Sequence, residues 1–278
     1  MATFSTLMTH VQSEPAAAPR LACAADLAKR FRARLVGVGA EMIPPLAFDN
    51  GYYSVDADWV IALRGTVEDQ LRAARNAFER ETADFPPGDA VWLSGIETPT
   101  PALAAASRAA DLIVLGGAPR RRESAYSDCE PEEVAIQSGR PVLVAPSSAP
   151  RLNAERIVLA WKDTREARRA LSEGVPFFEA AGAVLVLEVC DEADRHDAGI
   201  RTDDVVAYLR RRGVAAEAKV VLHDHAPASE RIIDQARAFR ADLIVVGCYG
   251  HSRMGEWAFG GVTRDLLAQD EVYLLLSH

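Results

Sequence analysis

The chain repeats itself, and the repeat constrains the fold more than any other feature of the sequence. "AADLIVLGG" at 109–117 returns as "RADLIVVGC" at 240–248, with Asp111 falling on Asp242 at an offset of 131 residues. The same offset carries "PVLVA" (141–145) onto "VYLLL" (272–276), so the connection between the two apolar runs has equal length in both copies. A fixed spacing of this kind marks a duplicated structural unit. The expected organisation is two domains, residues 1–147 and 153–278, with the Pro-, Ser- and Asn-containing stretch "PSSAPRLNAE" (146–155) as the boundary.

Within each copy, short apolar runs alternate with segments of helical periodicity. In the second copy "RIVLAW" (156–161), "AVLVLEV" (183–189), "EAKVVL" (217–222), "DLIVVG" (242–247) and "VYLLL" read as strands. Helices are expected over 164–181 with Thr164 as N-cap, around Asp203 to Arg212, from about Pro227 to Arg240, and from Gly261. The first copy follows the same plan and adds an insertion, "EMIPPLAFDNGYYSVDADW" (41–59). Continuously apolar strands separated by helices are covered on both faces, which makes the sheet parallel and doubly wound. The fold class is therefore α/β: two tandem doubly wound domains, each a five-stranded parallel sheet flanked by helices.

Composition removes several function classes. The net charge is -9 and both halves are mildly acidic, so the run Arg120, Arg121, Arg122 reads as a solvated patch rather than a nucleic-acid surface. Four cysteines without metal-ligand spacing suggest neither a disulfide framework nor a structural metal. No apolar run approaches the roughly 20 residues of a membrane span. The chain reads as cytoplasmic, with no nucleic-acid or membrane partner.

The stretch "VVGCYGHSRMGEWAFGG" (245–261) follows a strand and precedes a helix. Ligands of open α/β sheets settle at such strand ends, where glycines allow close approach and a helix N-terminus offers free N–H groups. Gly247, Gly250, Gly260 and Gly261 supply the backbone, and His251, Ser252, Arg253 and Thr263 add donors, which suits the phosphates of a di- or triphosphate. Glycine in loops more often serves turn geometry alone. The repeat is an internal control: at the offset of 131, Gly250 becomes Pro119, Gly260 becomes Cys129 and Gly261 becomes Glu130. Phosphate binding is thus expected in the second copy, and Glu130 would place a carboxylate where an anion should sit.

These residues resemble the universal stress protein family in its tandem form. The loop G-x2-G-x9-G followed by a hydroxyl residue is that family's ATP-binding signature; Gly247, Gly250 and Gly260 fit it, and Gly261 stands where the hydroxyl residue is usual. "LAWKDTREARRAL" (159–171) is similar to the family as well. The resemblance implies a Rossmann-like domain of the adenine nucleotide alpha hydrolase type. It also implies an adenine nucleotide, ATP or a relative with Mg2+ as an optional companion. On that reading Ala160, Trp161, Lys162 and Asp163 lie against base and ribose, and main-chain groups near Val189 read adenine. The family's usual Asp in the first loop is replaced by Lys162, with Asp163 beside it.

Two functions of different class follow. One is a nucleotide-responsive stress protein, in which the ligand biases conformation or self-association and hydrolysis is at most slow. The other is a non-catalytic interaction scaffold whose altered sites no longer take nucleotide. No nucleophile motif supports covalent catalysis, and Asp163 is the sole acid near the loop that a true ATPase would recruit. His223 and His225 in "LHDHAP" are too few for a metal site and read as loop residues; Tyr52 and Tyr53 read as aromatic packing over the sheet edge.

Overall fold

The strands fall where continuous apolar runs place them. The computed structural model describes residues 3–44, 57–117, 128–147, 151–248 and 260–278. In the first half, β1 (Thr6–His10), β2 (Arg34–Ala40), β3 (Ala90–Gly95), β4 (Leu112–Gly116) and β5 (Val142–Ala145) alternate with α1 (Ala18–Phe31), α2 (Ala57–Glu81), α3 (Pro99–Ala106) and α4 (Pro131–Ser138). The second half runs β6 (Arg156–Trp161), α5 (Arg165–Glu173), α6 (Val175–Phe178), β7 (Ala183–Cys190), α7 (Arg195–Arg211), β8 (Ala216–Leu222), α8 (Ala228–Phe239), β9 (Leu243–Gly247), α9 (Gly260–Ala268) and β10 (Tyr273–Ser277). Thr164 caps α5 as its sequence position requires, its hydroxyl accepting from the Ala167 N–H at 3.3 Å.

Two helices differ from expectation. The segment 164–181 is divided after Glu173, because Pro176 lacks the N–H needed to continue the ladder and instead opens the short α6. Helix α7 begins at Arg195, eight residues before Asp203, through a polar stretch whose outer face is solvated. Its charged composition hides the buried positions Ala198 and Thr202.

The strand order is β3-β2-β1-β4-β5-β10-β9-β6-β7-β8. Each half is a five-stranded parallel sheet in which the middle strand borders both its successor and the fourth strand, so the order reverses beside β1 and β6. The halves are fused by antiparallel pairing of β5 with β10, Leu143 opposite Leu275. What periodicity leaves open, the partner of each fifth strand, is settled within one chain. Rings from both halves lock the joint: Phe4 lies 5.0 Å from Phe31 and 5.4 Å from Phe177.

Alternating residues build two cores. Leu7, Leu112, Ile157, Val245 and Leu275 face α1, α2, α5 and α7, whereas Met8, Ile113, Val158, Val246 and Leu276 face α3, α4, α8 and α9. No helix among the described residues is long and apolar enough to cross a membrane.

Candidate functional site

The reversal of strand order beside β6 brings the C-terminal ends of β6, β7 and β9 together, with α9 packed on the face that holds Val158 and Val246. Ala160 lies opposite Val246, so Lys162 and Cys248 follow in the next row. Ala160 pairs with Leu187, which brings Val189 level with Lys162. Ala160, Lys162 and Val189 are thereby gathered at one crevice, while Gly260, Gly261 and Thr263 belong to α9, which packs on the face of the sheet that holds Val158 and Val246. Gly250, His251 and Arg253 lie outside the described residues, as do Tyr52, Tyr53 and Arg120 to Arg122.

Each gathered residue has its own surroundings. Lys162 is exposed and its carbonyl accepts from the Thr164 N–H at 2.6 Å. Asp163 pairs with Arg168 at 2.5 Å on the first turn of α5. The indole of Trp161 is in the core under α5 and α7, which leaves its backbone, not its ring, at the crevice; Nε1 is buried without a hydrogen-bond partner. Thr263 is buried as well. Cys248 is tied off by β10: its N–H donates to the Ser277 carbonyl at 2.8 Å and its carbonyl accepts from His278 Nδ1 at 3.1 Å. Burial pushes its thiol up to about 12.

The two described glycines that are most informative have different physical causes. A Cβ at Gly247 would stand 2.5 Å from the Ala167 nitrogen and the Glu166 carbonyl carbon, so this glycine exists to let the start of α5 rest on the end of β9. At Gly261 no described atom lies within 4 Å of such a Cβ. The first turn of α9 has N–H groups with no acceptor within the helix. Helix α9 is held in place by Ser229 of α8, whose hydroxyl donates to Asp265 at 2.8 Å. The packing at Gly247 neither requires nor opposes a phosphate.

The first half shows what happens to the same crevice when it is filled. Leu7 pairs with Leu112 as Ile157 pairs with Leu243, which puts His10 at the place of Ala160 and Gln12 at that of Lys162. Ala40 likewise takes the place of Val189. His10 is buried, and its Nε2 donates to the Ala40 carbonyl at 3.2 Å. That main chain is the counterpart of the one expected to read adenine. Nδ1 then accepts from the Cys129 thiol at 3.8 Å, where the second half has Gly260. The Arg20 guanidinium lies over Gly116, 2.8 Å from where its Cβ would be, and donates to Gln12 at 2.9 Å beside Glu14 and Asp128. An imidazole, a thiol and a guanidinium thus fill the degenerate crevice. Only an offset of 150 residues, rather than 131, aligns His10 with Ala160, and this second spacing is the signal that sequence reading missed.

Burial, reinforced by Arg20, lowers the His10 pKa to about 3, and burial raises that of Cys129 to about 12, so both are neutral near pH 7. The unfolded chain binds a proton on His10 below about pH 6.5 whereas the folded chain does not. Stability is therefore expected to fall as pH drops from 6.5 toward 3, by up to roughly 1.4 kcal/mol per pH unit from this group. Urea unfolding at pH 7 and pH 5 checks it: His10→Gln should show a smaller drop than the wild type, and equal drops would refute the assignment.

Elsewhere, His223 and His225 do not converge on a common ligand. His223 pairs with Asp191 at 2.7 Å, and no group of three potential ligands that could hold a metal occurs among the described residues.

Comparison with known proteins fits this geometry. Residues 153–275 match the model of the universal stress protein family. No curated protein matches the chain in sequence. Among solved structures, a universal stress protein from Archaeoglobus fulgidus DSM 4304 superposes with a TM-score of 0.70 at 14% identity, covering 98% of this chain and 95% of its own. A Pseudomonas aeruginosa PAO1 protein of unknown function superposes with a TM-score of 0.57 at 14% identity, covering 99% of this chain and 92% of its own. Both show the fold across both halves.

Proposed function

We propose, from the premise that this chain belongs to the universal stress protein family in its tandem form, that it is a nucleotide-responsive stress-response protein with one site, in the second half. Adenine lies against Ala160 and the main chain near Val189, and ribose against Lys162. The phosphates lie at Gly260 and Gly261 on the N-terminus of α9. Gly250, His251 and Arg253 join the proposal on sequence grounds alone, and Mg2+ would arrive with the phosphates of ATP or a related nucleotide. What supports the reading is the contrast between the halves: one has Ala160 at the crevice and a Gly261 whose Cβ would meet no described atom, the other has His10, Cys129 and Arg20. Asp163, the acid nearest the crevice in sequence, lies in an exposed ion pair with Arg168.

The scaffold reading draws on one observation, that Gly247 is explained by packing and so no longer counts toward a phosphate signature. Calorimetric titration of the full chain with ATP and Mg2+ separates the two. Gly261→Asp puts a carboxylate on the first turn of α9 without a steric clash and should weaken binding at least about tenfold, or 1.4 kcal/mol. Gly261→Ser restores the family's hydroxyl and should tighten it several-fold. Absence of heat in the wild type would leave the scaffold, and an unchanged affinity in Gly261→Asp would remove the phosphates from the N-terminus of α9.

A further inference from the structure

The two outer edges of the ten-stranded sheet are protected very differently. β8 presents exposed Glu217 and Lys219, the charges that natural sheets place on an edge to stop further pairing. β3, "AVWLSG", has no charge and no proline. On the face toward α3 it leaves Leu93 43% exposed, and Ile96, just past its end, is 37% exposed. The cause lies in α3, an eight-residue, alanine-rich helix standing where the second half has the twelve-residue α8 with Ile232 and Ile233. Its small side chains leave a groove of about 330 Å3 floored by Val38 and Leu93, with Ala102 and Ala106 as its wall and Glu97 and Arg108 among its lining.

The backbone of β3 is poised for the same use. The Leu35 N–H donates to the Asp89 carbonyl and the Glu41 N–H to the Gly95 carbonyl, so residues 89, 91, 93 and 95 point their polar groups at β2. In a parallel ladder the alternate residues Ala90, Trp92 and Ser94 point theirs outward. Among the described residues no strand pairs with this side of β3, and an uncharged strand with such an edge accepts another strand.

We infer that β3 is a self-association edge, pairing antiparallel with β3 of a second copy of this chain about a two-fold axis. A second copy is favoured over an unrelated strand for three reasons. A strand paired with itself antiparallel satisfies both copies by one operation. The operation keeps the two Leu93 side chains on the same face, beside the two grooves. One acid and one base at each groove, Glu97 and Arg108, make the patch electrically self-complementary. The chain already joins its own halves by the same device, β5 against β10. Six residues of strand and two apolar side chains form a small interface, so association belongs in the weak, micromolar range.

Analytical ultracentrifugation of the full chain tests this. The 30.1 kDa chain should sediment as a reversible dimer of twice that mass over concentrations up to roughly 100 µM. Ser94→Pro removes one outward N–H without touching the β2 ladder, and Leu93→Lys adds the missing edge charge. Each should raise the dissociation constant at least about tenfold with an unchanged unfolding curve, and Lys219→Ala on the opposite edge should leave it unaltered. A wild type that stays monomeric throughout, even if it captures an extended peptide, overturns the inference. So does a dimer indifferent to both β3 variants.

Discussion

Gly247→Ala is expected to destabilise the protein by about 3 kcal/mol, at the upper end of the cost of overpacking a core. The added methyl would meet backbone atoms of Glu166 and Ala167 at 2.5 Å, and a helix start cannot rotate aside as a side chain can. Relief requires the first turn of α5 to lift from β9, which also disturbs the loop that carries Lys162 and Asp163. For a chain of this size the loss corresponds to a fall in melting temperature of roughly 6–12 °C, measured by calorimetry or circular dichroism. Two comparison variants make the cause specific. Gly116→Ala, whose neighbour is the tip of Arg20 at 2.8 Å, should cost less, and Gly261→Ala, with no described atom within 4 Å of the added methyl, should be neutral or slightly stabilising. Equal losses at all three positions would contradict this division between glycines that packing requires and one that it does not.

Removal of Arg201 should be comparably severe. Glu188 on β7 is buried to 4% exposure in the row of the sheet that ends at the crevice, and Arg201 of α7 answers it with Nη2 at 2.5 Å and Nε at 3.2 Å from Oε1. Arg201→Met leaves a carboxylate without its counter-ion in the interior. The penalty for such a broken pair is about 3–5 kcal/mol, and the lower end applies here because the Arg201 side chain remains 27% exposed. The double variant Glu188→Leu with Arg201→Met should recover most of the loss, since two apolar groups need no solvation. Chemical unfolding of the three proteins measures both steps; a double variant as unstable as the single one would show that the arginine acts through packing alone.

The parts of this fold that can be read from the sequence are those in which one physical rule dominates. β6 and β9 were legible because strands buried on both faces are continuously apolar, and the helix after Thr164 because its hydroxyl does the work of a cap. The start of α7 was not, since a helix that buries only Ala198 and Thr202 over its first turns reads as a polar loop. Nor was the β5–β10 junction: a buried strand shows that it has partners, not which ones. At the candidate site the glycine spacing was visible, yet Gly247 could serve α5 or a phosphate equally well until its neighbours were known. The plug in the first half joins His10 to Cys129, 119 residues apart, and no local pattern connects them.

If one crevice is open and the other filled by its own side chains, the number of nucleotides bound per chain decides the matter. Titration of the full chain with ATP and Mg2+, read for stoichiometry, should give one site, unchanged by Arg20→Ala and lost in Gly261→Asp. Two equivalent sites per chain, or a single site that Arg20→Ala abolishes and Gly261→Asp leaves intact, would contradict it.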